Sequence, residues 1–234
     1  MAIFKHRIFL FVSIFLLSLS LVSSQQLPPD DCSWGPRAET PRPNASPNPA
    51  GARLGLKTRT LSTTADYTSY NKGKAIDLGQ WFKFTCGLES LVPKVMPSDK
   101  PVDGLETFRV TVKGYVMGMR FMRDGDHDIA VELAATPDWN SDHIVVEMSA
   151  GPDYCPARKA LMDLVRKDGC KDDMCIMKKP VKIAVTGFVL VGNPQPGATD
   201  LCHLPSTRGL KKDDQIVHVR GIWRLQPVVA VKKA

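Results

Sequence analysis

The chain has 234 residues, of which 43% are apolar and 24% are charged, and it carries a formal net charge of +7 at neutral pH. This length and apolar fraction are sufficient for one globular domain with its own core. Positive and negative residues are mixed in segments such as "RKDGCKDDMC" and "LKKDDQ", which excludes a continuous cationic tail. The balance predicts a mild attraction to polyanions, although scattered charge that keeps a protein soluble explains it equally well.

Residues 1–24 have the features of a secretory signal peptide. Lys5 and Arg7 precede an apolar run that extends to about Val22, and this run is short for a membrane span. We therefore predict a secreted, extracellular chain that begins near Gln25 and has no membrane span after signal cleavage. Cleavage would remove these two positive residues and lower the charge from +7 to +5. An uncleaved N-terminal anchor is the alternative.

All the cysteines follow the predicted signal peptide, and their even number on an oxidising route predicts disulfides. They are Cys32, Cys86, Cys155, Cys170, Cys175 and Cys202. The sequence leaves their connectivity open, and the short "CKDDMC" segment suggests a pair between Cys170 and Cys175 as a first guess. A zinc site is the alternative, although its spacing differs from the usual zinc motifs. Its ligands would be Cys170, Cys175, Cys202 and His203.

Two segments precede the main domain. Residues 25–53 are rich in proline and small polar residues, which is typical of an extended arm. This arm contains Asn44 in an N-x-S sequence, a possible N-glycosylation acceptor. Residues 54–107 are predicted to form an irregular extension packed on the main domain. Within them, "GQWFKFTC" alternates briefly and predicts a short strand.

The clearest pattern lies in residues 108–231. "FRVTVKGYVMGMRFM" alternates over a long stretch that two glycines interrupt, which predicts a curved strand, and "DIAVELA" and "HIVVEMS" predict two shorter strands. "CPARKALMDLVRKDG" has apolar residues at helical spacing, and "VKIAVTGFVLVG" and "QIVHVRGIWRLQPVVAV" predict two last strands. This order predicts a mainly β fold, a five-stranded OB-fold-like barrel with one helix between strands 3 and 4. An irregular β-sandwich is the alternative.

Four segments resemble, in order and rough spacing, an uncharacterised family of small secreted, mostly bacterial proteins with a predicted OB-fold-like barrel. The segments are "LGLKTRTLSTTAD", "DGDHDIAVEL", "HIVVEMSAGPDYC" and "RGIWRLQPV". The matching positions are Lys57, Thr58, Asp124, Asp126, Glu147, Pro152, Cys155 and Pro227. The chain departs from two histidines of the family, which fall on Asp128 or the shifted His127 and on Gln226. The resemblance implies the barrel fold and no particular activity.

The turn "DGDHD" places three aspartates at alternate positions, as at the start of an EF-hand calcium loop. These residues are Asp124, Asp126 and Asp128. An EF-hand also needs glycine at the sixth position and glutamate at the twelfth, which here are Ile129 and Ala135. The sequence therefore excludes an EF-hand.

A looser divalent-metal site remains a hypothesis, because two histidines stand at the entrances of neighbouring predicted strands. Its ligands would be Asp124, Asp126, His127 and His143. The turn is also similar to that of staphylococcal-nuclease-like phosphodiesterases, but their arginine and acidic segment have no counterpart after Leu133. A plain hairpin connection, in which aspartate and glycine supply turn conformations, explains the same residues.

OB-folds usually bind ligands along strands 2 and 3, with aromatic and basic side chains. Alternation places Arg109, Thr111, Lys113 and Tyr115 on one face of the first predicted strand, and three basic residues on one face of the last. We predict ligand contacts from Lys113, Tyr115, His218, Arg220 and Arg224.

Strands 2 and 3 present Asp128, Glu132 and Glu147 instead of aromatic residues, which argues against nucleic acid as a partner. No G-x-S-x-G or H-E-x-x-H motif is present. The sequence thus favours a secreted, disulfide-stabilised binding or interaction module over an enzyme. Its partner would be an extracellular ligand or protein, and it would need no cofactor unless the turn binds a divalent metal. A metal-dependent phosphodiesterase or nuclease acting at the barrel rim is the alternative.

Overall fold

The computed structural model of the chain describes residues 67–94, 100–122, 128–165, 174–192, 200–202, 211–212, 215–216 and 219–234. The predicted signal peptide, the proline-rich arm, Asn44 and the Lys57–Thr58 match lie outside these residues. Within the described ranges, no helix is long and apolar enough to cross a membrane.

The described residues form a mainly β structure with two α-helices. The strands are β1 Thr68–Ser69, β2 Ile76–Asp77, β3 Phe108–Phe121, β4 Ile129–Ala134, β5 His143–Met148, β6 Met174–Val191, β7 Lys211–Lys212, β8 Gln215–Ile216 and β9 Val219–Lys233. The helices are α1 Leu78–Gly87 and α2 Cys155–Val165.

Five strands close into a barrel in the order β3-β4-β5-β9-β6, and β6 pairs back with β3. All these pairings are antiparallel except that of β5 with β9, which is parallel. Helix α2 connects the third barrel strand to the fourth. The order and the helix position confirm the predicted OB-fold-like barrel. The two-residue strands β1 and β2 pair in parallel with β3, and β7 pairs with β8 in a separate hairpin.

Strand β3 curves so that it can pair with β6 on one side and with β4 on the other. Its register shifts between Val116 and Gly118 in both pairings, which confirms the interruption predicted from the glycines. At Gly114 a Cβ atom would lie 3.0 Å from the Leu78 side chain and 3.1 Å from the Ala134 carbonyl oxygen. Only glycine lets the backbone of β3 approach these neighbours so closely.

The core fills the barrel with the inward side chains of the five strands, which alternate along β3, β4 and β5 as the period-2 pattern requires. Helix α2 contributes Ala157, Leu161 and Val165, which are spaced four residues apart and therefore lie on one face. Helix α2 packs against β9 and β6. The helix predicted from this spacing is thus confirmed.

The "GQWFKFTC" segment forms helix α1, so the strand predicted there is wrong. Asp77 caps the helix, because its carboxylate accepts the backbone N–H of Gln80, and the Gln80 side chain accepts the backbone N–H of Asp77. The buried residues of the helix are Leu78, Trp81 and Thr85, at helical rather than strand spacing. The alternating residues Phe82 and Phe84 are only partly buried against the core.

Two predicted strand boundaries also change. Strand β6 begins at Met174, several residues before the predicted start at Val181, because its first residues pair with the end of β3 from Gly118 to Arg120. The last barrel strand begins at Val219, since Gln215–Ile216 belongs to the hairpin with β7.

A disulfide between Cys86 and Cys202 joins the end of α1 to the segment before β7, with the two Cα atoms 5.4 Å apart. Cys155 and Cys175 are disulfide-bonded as well. The zinc alternative is therefore wrong, because the sulfur atoms of Cys175 and Cys202 are used in disulfides. The suggested partner of Cys175, Cys170, lies outside the described residues, as does Cys32.

Candidate functional site

The outer face of β4, β5 and β9 corresponds to the usual binding face of an OB-fold. Alternation directs Glu132 of β4 and His143, Val145 and Glu147 of β5 to this face, while their neighbours fill the core. Arg224 of β9 pairs with Val145 and faces the same way. These five side chains are all buried, although they point away from the barrel interior. We call its four polar members, Glu132, His143, Glu147 and Arg224, the outer polar layer.

His143 and Glu132 form the most buried pair in the outer polar layer. The Nδ1 atom of His143 makes a hydrogen bond with a carboxylate oxygen of Glu132, and both side chains are at most 1% exposed. The other ring nitrogen lies 3.4 Å from the Asp138 carbonyl oxygen. The centres of the Trp139 and His143 rings are 5.8 Å apart. Both nitrogens of His143 therefore face groups of the protein itself.

The strand register separates His143 from the acidic turn before β4. His143 pairs with Ala134, whereas Ile129, which follows Asp128, pairs with Met148 at the other end of the hairpin. At about 3.3 Å per residue, the two ends are roughly 17 Å apart. His143, at the entrance of β5, therefore lies beside the end of β4 and not beside Asp128, because the entrances of adjacent antiparallel strands lie at opposite ends.

The other proposed metal ligands, Asp124, Asp126 and His127, lie outside the described residues. Among the residues that the structure does describe, no cluster of three histidine, cysteine or carboxylate side chains could hold a metal ion. Asp128, which ends the turn, is buried, and its carboxylate accepts the side-chain N–H of Gln226 at 2.6 Å.

Arg224 forms a buried ion pair within the outer polar layer and is not exposed to a ligand. Its guanidinium donates to the Glu147 carboxylate at 3.3 Å, and both side chains are about nine-tenths buried. Its Nε atom has no hydrogen-bond partner among the described residues and is also buried. Sequence reasoning placed Arg224 on an outer face, and the structure adds that this face is covered.

Arg220 makes a different, exposed ion pair with Asp142 at 2.7 Å. Arg220 and Arg224 do not follow one regular alternation, because β9 is irregular between them. His143 pairs with Val219 and Val145 pairs with Arg224, so β9 has extra residues between these two contacts. Gly221 accommodates them with a φ of 77°, in the left-handed region that favours glycine. His218, the remaining predicted contact on this strand, lies outside the described residues.

The outer face of β3, β6 and β9 is a second, exposed surface, which we call the lysine face. Lys113 of β3, Lys182 of β6 and Lys232 of β9 are exposed on it. Tyr115 is half-buried beside them, and the Lys182 Nζ atom lies 5.4 Å from the centre of its ring. The predicted contacts Lys113 and Tyr115 thus come together with two lysines that sequence reasoning missed. Once the strand order is known, the register places Lys182 beside Tyr115 and Lys232 in the same row as Lys113.

The two surfaces differ in chemistry. The outer polar layer uses its carboxylates, imidazole and guanidinium for internal pairs, whereas the lysine face presents cationic groups to solvent. Comparison with known proteins adds no relative to this description: no family model matches the chain, and a search of curated proteins finds no match.

Proposed function

We propose that the chain is a secreted, disulfide-stabilised OB-fold-like module that binds an extracellular ligand or protein without transforming it. The barrel and the Cys86–Cys202 disulfide support this proposal. So does the signal-peptide pattern of residues 1–24, because disulfides persist on the secretory route. The resemblance to small secreted proteins with a predicted barrel agrees with the same assignment.

The observation that carries the proposal is the contrast between the two outer faces. The side chains that could perform acid–base chemistry, Glu132, His143 and Glu147, are buried and paired. A general acid or base must be within hydrogen-bond reach of a substrate, which these pairs do not offer. The lysines beside Tyr115 are exposed, and a positively charged surface attracts anionic ligands.

A cleavage assay tests this function against the phosphodiesterase alternative. The purified full chain is incubated with single-stranded nucleic acid and with calcium, magnesium or zinc. We expect no cleavage above the rate of a protein-free control. Metal-dependent cleavage that the Asp126→Ala variant loses, while an Asp138→Ala variant in the exposed loop before β5 keeps it, would overturn the proposal.

A further inference from the structure

The lysine face has a regular two-dimensional arrangement. Lys113 pairs in register with Ala184, and Ala184 pairs with Lys232, so the two lysines flank one small residue on the same row. Neighbouring strands lie about 4.8 Å apart, which puts the two lysine Cα atoms roughly 10 Å apart. On the next row, Tyr115 pairs with Lys182. Three positive charges thus surround the small side chain of Ala184 and the aromatic ring of Tyr115.

These charges are not neutralised by ion pairs within the described part of the chain. Asp77 pairs in register with Lys113, and its carboxylate, which also caps helix α1, adds one negative charge beside the three lysines. The neighbouring hydroxyls, Thr111 and Thr186, hydrogen-bond each other at 2.8 Å. The face therefore keeps a net positive charge that can attract an anionic partner.

We propose that the lysine face binds an acidic polysaccharide, an inference that rests on the proposed binding function and names its ligand class. The three lysines lie on three neighbouring strands and present separate positive charges over one surface. They match a polymer that repeats carboxylate or sulfate groups along its length. Tyr115 offers an amphipathic ring on which the C–H face of a sugar can pack, and the barrel fold accommodates oligosaccharides as well as oligonucleotides.

The same face is a poor surface for single-stranded nucleic acid. Such binders stack successive bases on several aromatic side chains. Of the residues that the structure describes on the lysine face, Tyr115 is the one aromatic ring beside the lysines. Sugars need no such series of platforms, because their hydroxyl and acidic groups supply most of the contacts.

The test compares two charge-matched double variants of the full chain. Lys113→Gln/Lys232→Gln removes two charges from the lysine face, and Lys94→Gln/Lys159→Gln removes two exposed lysines elsewhere. Calorimetry measures the dissociation constants for dextran sulfate and for polygalacturonate at several salt concentrations around about 0.1 M. Neutral dextran and single-stranded DNA serve as comparison ligands. A separate variant, Tyr115→Leu, removes the ring hydroxyl and stacking surface.

We expect the wild-type chain to bind at least one of the two acidic polysaccharides and not neutral dextran. The lysine-face double variant should raise the dissociation constant about tenfold and reduce the slope of log affinity against log salt by about 2. The control double variant should change the constant less than about twofold. Tyr115→Leu should weaken binding without changing the salt slope.

Three results would overturn the inference: no binding of either acidic polysaccharide, equal losses in both double variants, or tighter binding of single-stranded DNA than of either polysaccharide. Stronger binding of dextran sulfate or of polygalacturonate would identify sulfate or carboxylate as the recognised group. The cleavage assay remains independent, because a chain that binds the polysaccharide through these lysines could still be shown to cleave nucleic acid.

Discussion

The imidazole of His143 is on the outer face of β5, yet solvent does not reach it. Alternation along β4 and β5 predicts correctly that Glu132, His143 and Glu147 point away from the core. It contains no information on whether other parts of the chain cover them, because covering depends on packing between distant segments. The pattern for an exposed polar face and for a buried polar layer is the same along one strand.

Removing one partner of the His143–Glu132 pair should destabilise the fold strongly. We expect His143→Leu to lower the free energy of unfolding by about 3 kcal/mol, because it takes the imidazole partner from a buried carboxylate. The double variant Glu132→Leu/His143→Leu should lose less than His143→Leu alone, since no buried charge remains at the site. Urea unfolding measures these free energies.

The exposed Arg220–Asp142 pair provides the control for this prediction. Arg220→Leu should change the free energy of unfolding by less than about 1 kcal/mol, because both side chains are more than a third exposed. An equal loss in Arg220→Leu and His143→Leu would show that the buried pair contributes no more than a surface ion pair.

Helix α1 shows where an element-scale prediction fails and what would have corrected it. The alternation in "GQWFKFTC" extends over too few residues to separate a period of 2 from a period of 3.6. The decisive signal lies just before it, where Asp77 and Gln80 have the spacing of a capping box. The barrel strand β3 was predicted more reliably because it alternates over a longer stretch, and β4 and β5 because turn residues separate them.

The close packing of β3 against α1 and β4 leads to a prediction about two glycines. We expect Gly114→Ala to lower the free energy of unfolding by about 1–3 kcal/mol, because the new methyl group would meet Leu78, Leu133 and the Ala134 carbonyl oxygen at 3.0–3.1 Å.

Gly87→Ala is the matched control, since a Cβ atom at Gly87 has nothing within 4 Å and the residue is in helix α1. It should leave the stability unchanged or raise it by up to about 1 kcal/mol. Thermal unfolding of both variants checks the pair. Similar losses at both positions would mean that the barrel yields to the methyl group at Gly114.

At the scale of the whole molecule, the order of strands and helix was predictable because each change of period in the sequence marks one element of the barrel. The outer polar layer was not predictable, because it unites Glu132, His143, Glu147 and Arg224 from three strands. Arg224 enters it only through the irregular register around Gly221. Local patterns reveal elements, whereas the site arises from their pairing.

The Cys86–Cys202 disulfide connects residues 116 positions apart, so it should contribute strongly to stability. We expect Cys86→Ala/Cys202→Ala to lower the free energy of unfolding by about 4 kcal/mol, because closing a long loop restricts the unfolded chain. Both cysteines are replaced so that no free thiol can exchange with the remaining disulfides. Guanidinium unfolding measures the change, and a loss below about 1 kcal/mol would contradict the entropic account.

The position of β9 in the barrel has a consequence for how the chain must fold. β9 pairs with β5 on one side and with β6 on the other, and it comes last among the barrel strands. A nascent chain that has reached only β6 therefore exposes two unpaired strand edges, which other strands can extend. The contacts that close these edges span most of the domain, so closure is late and slow. During synthesis, the interval before Val219 emerges is when the chain is most prone to aggregation.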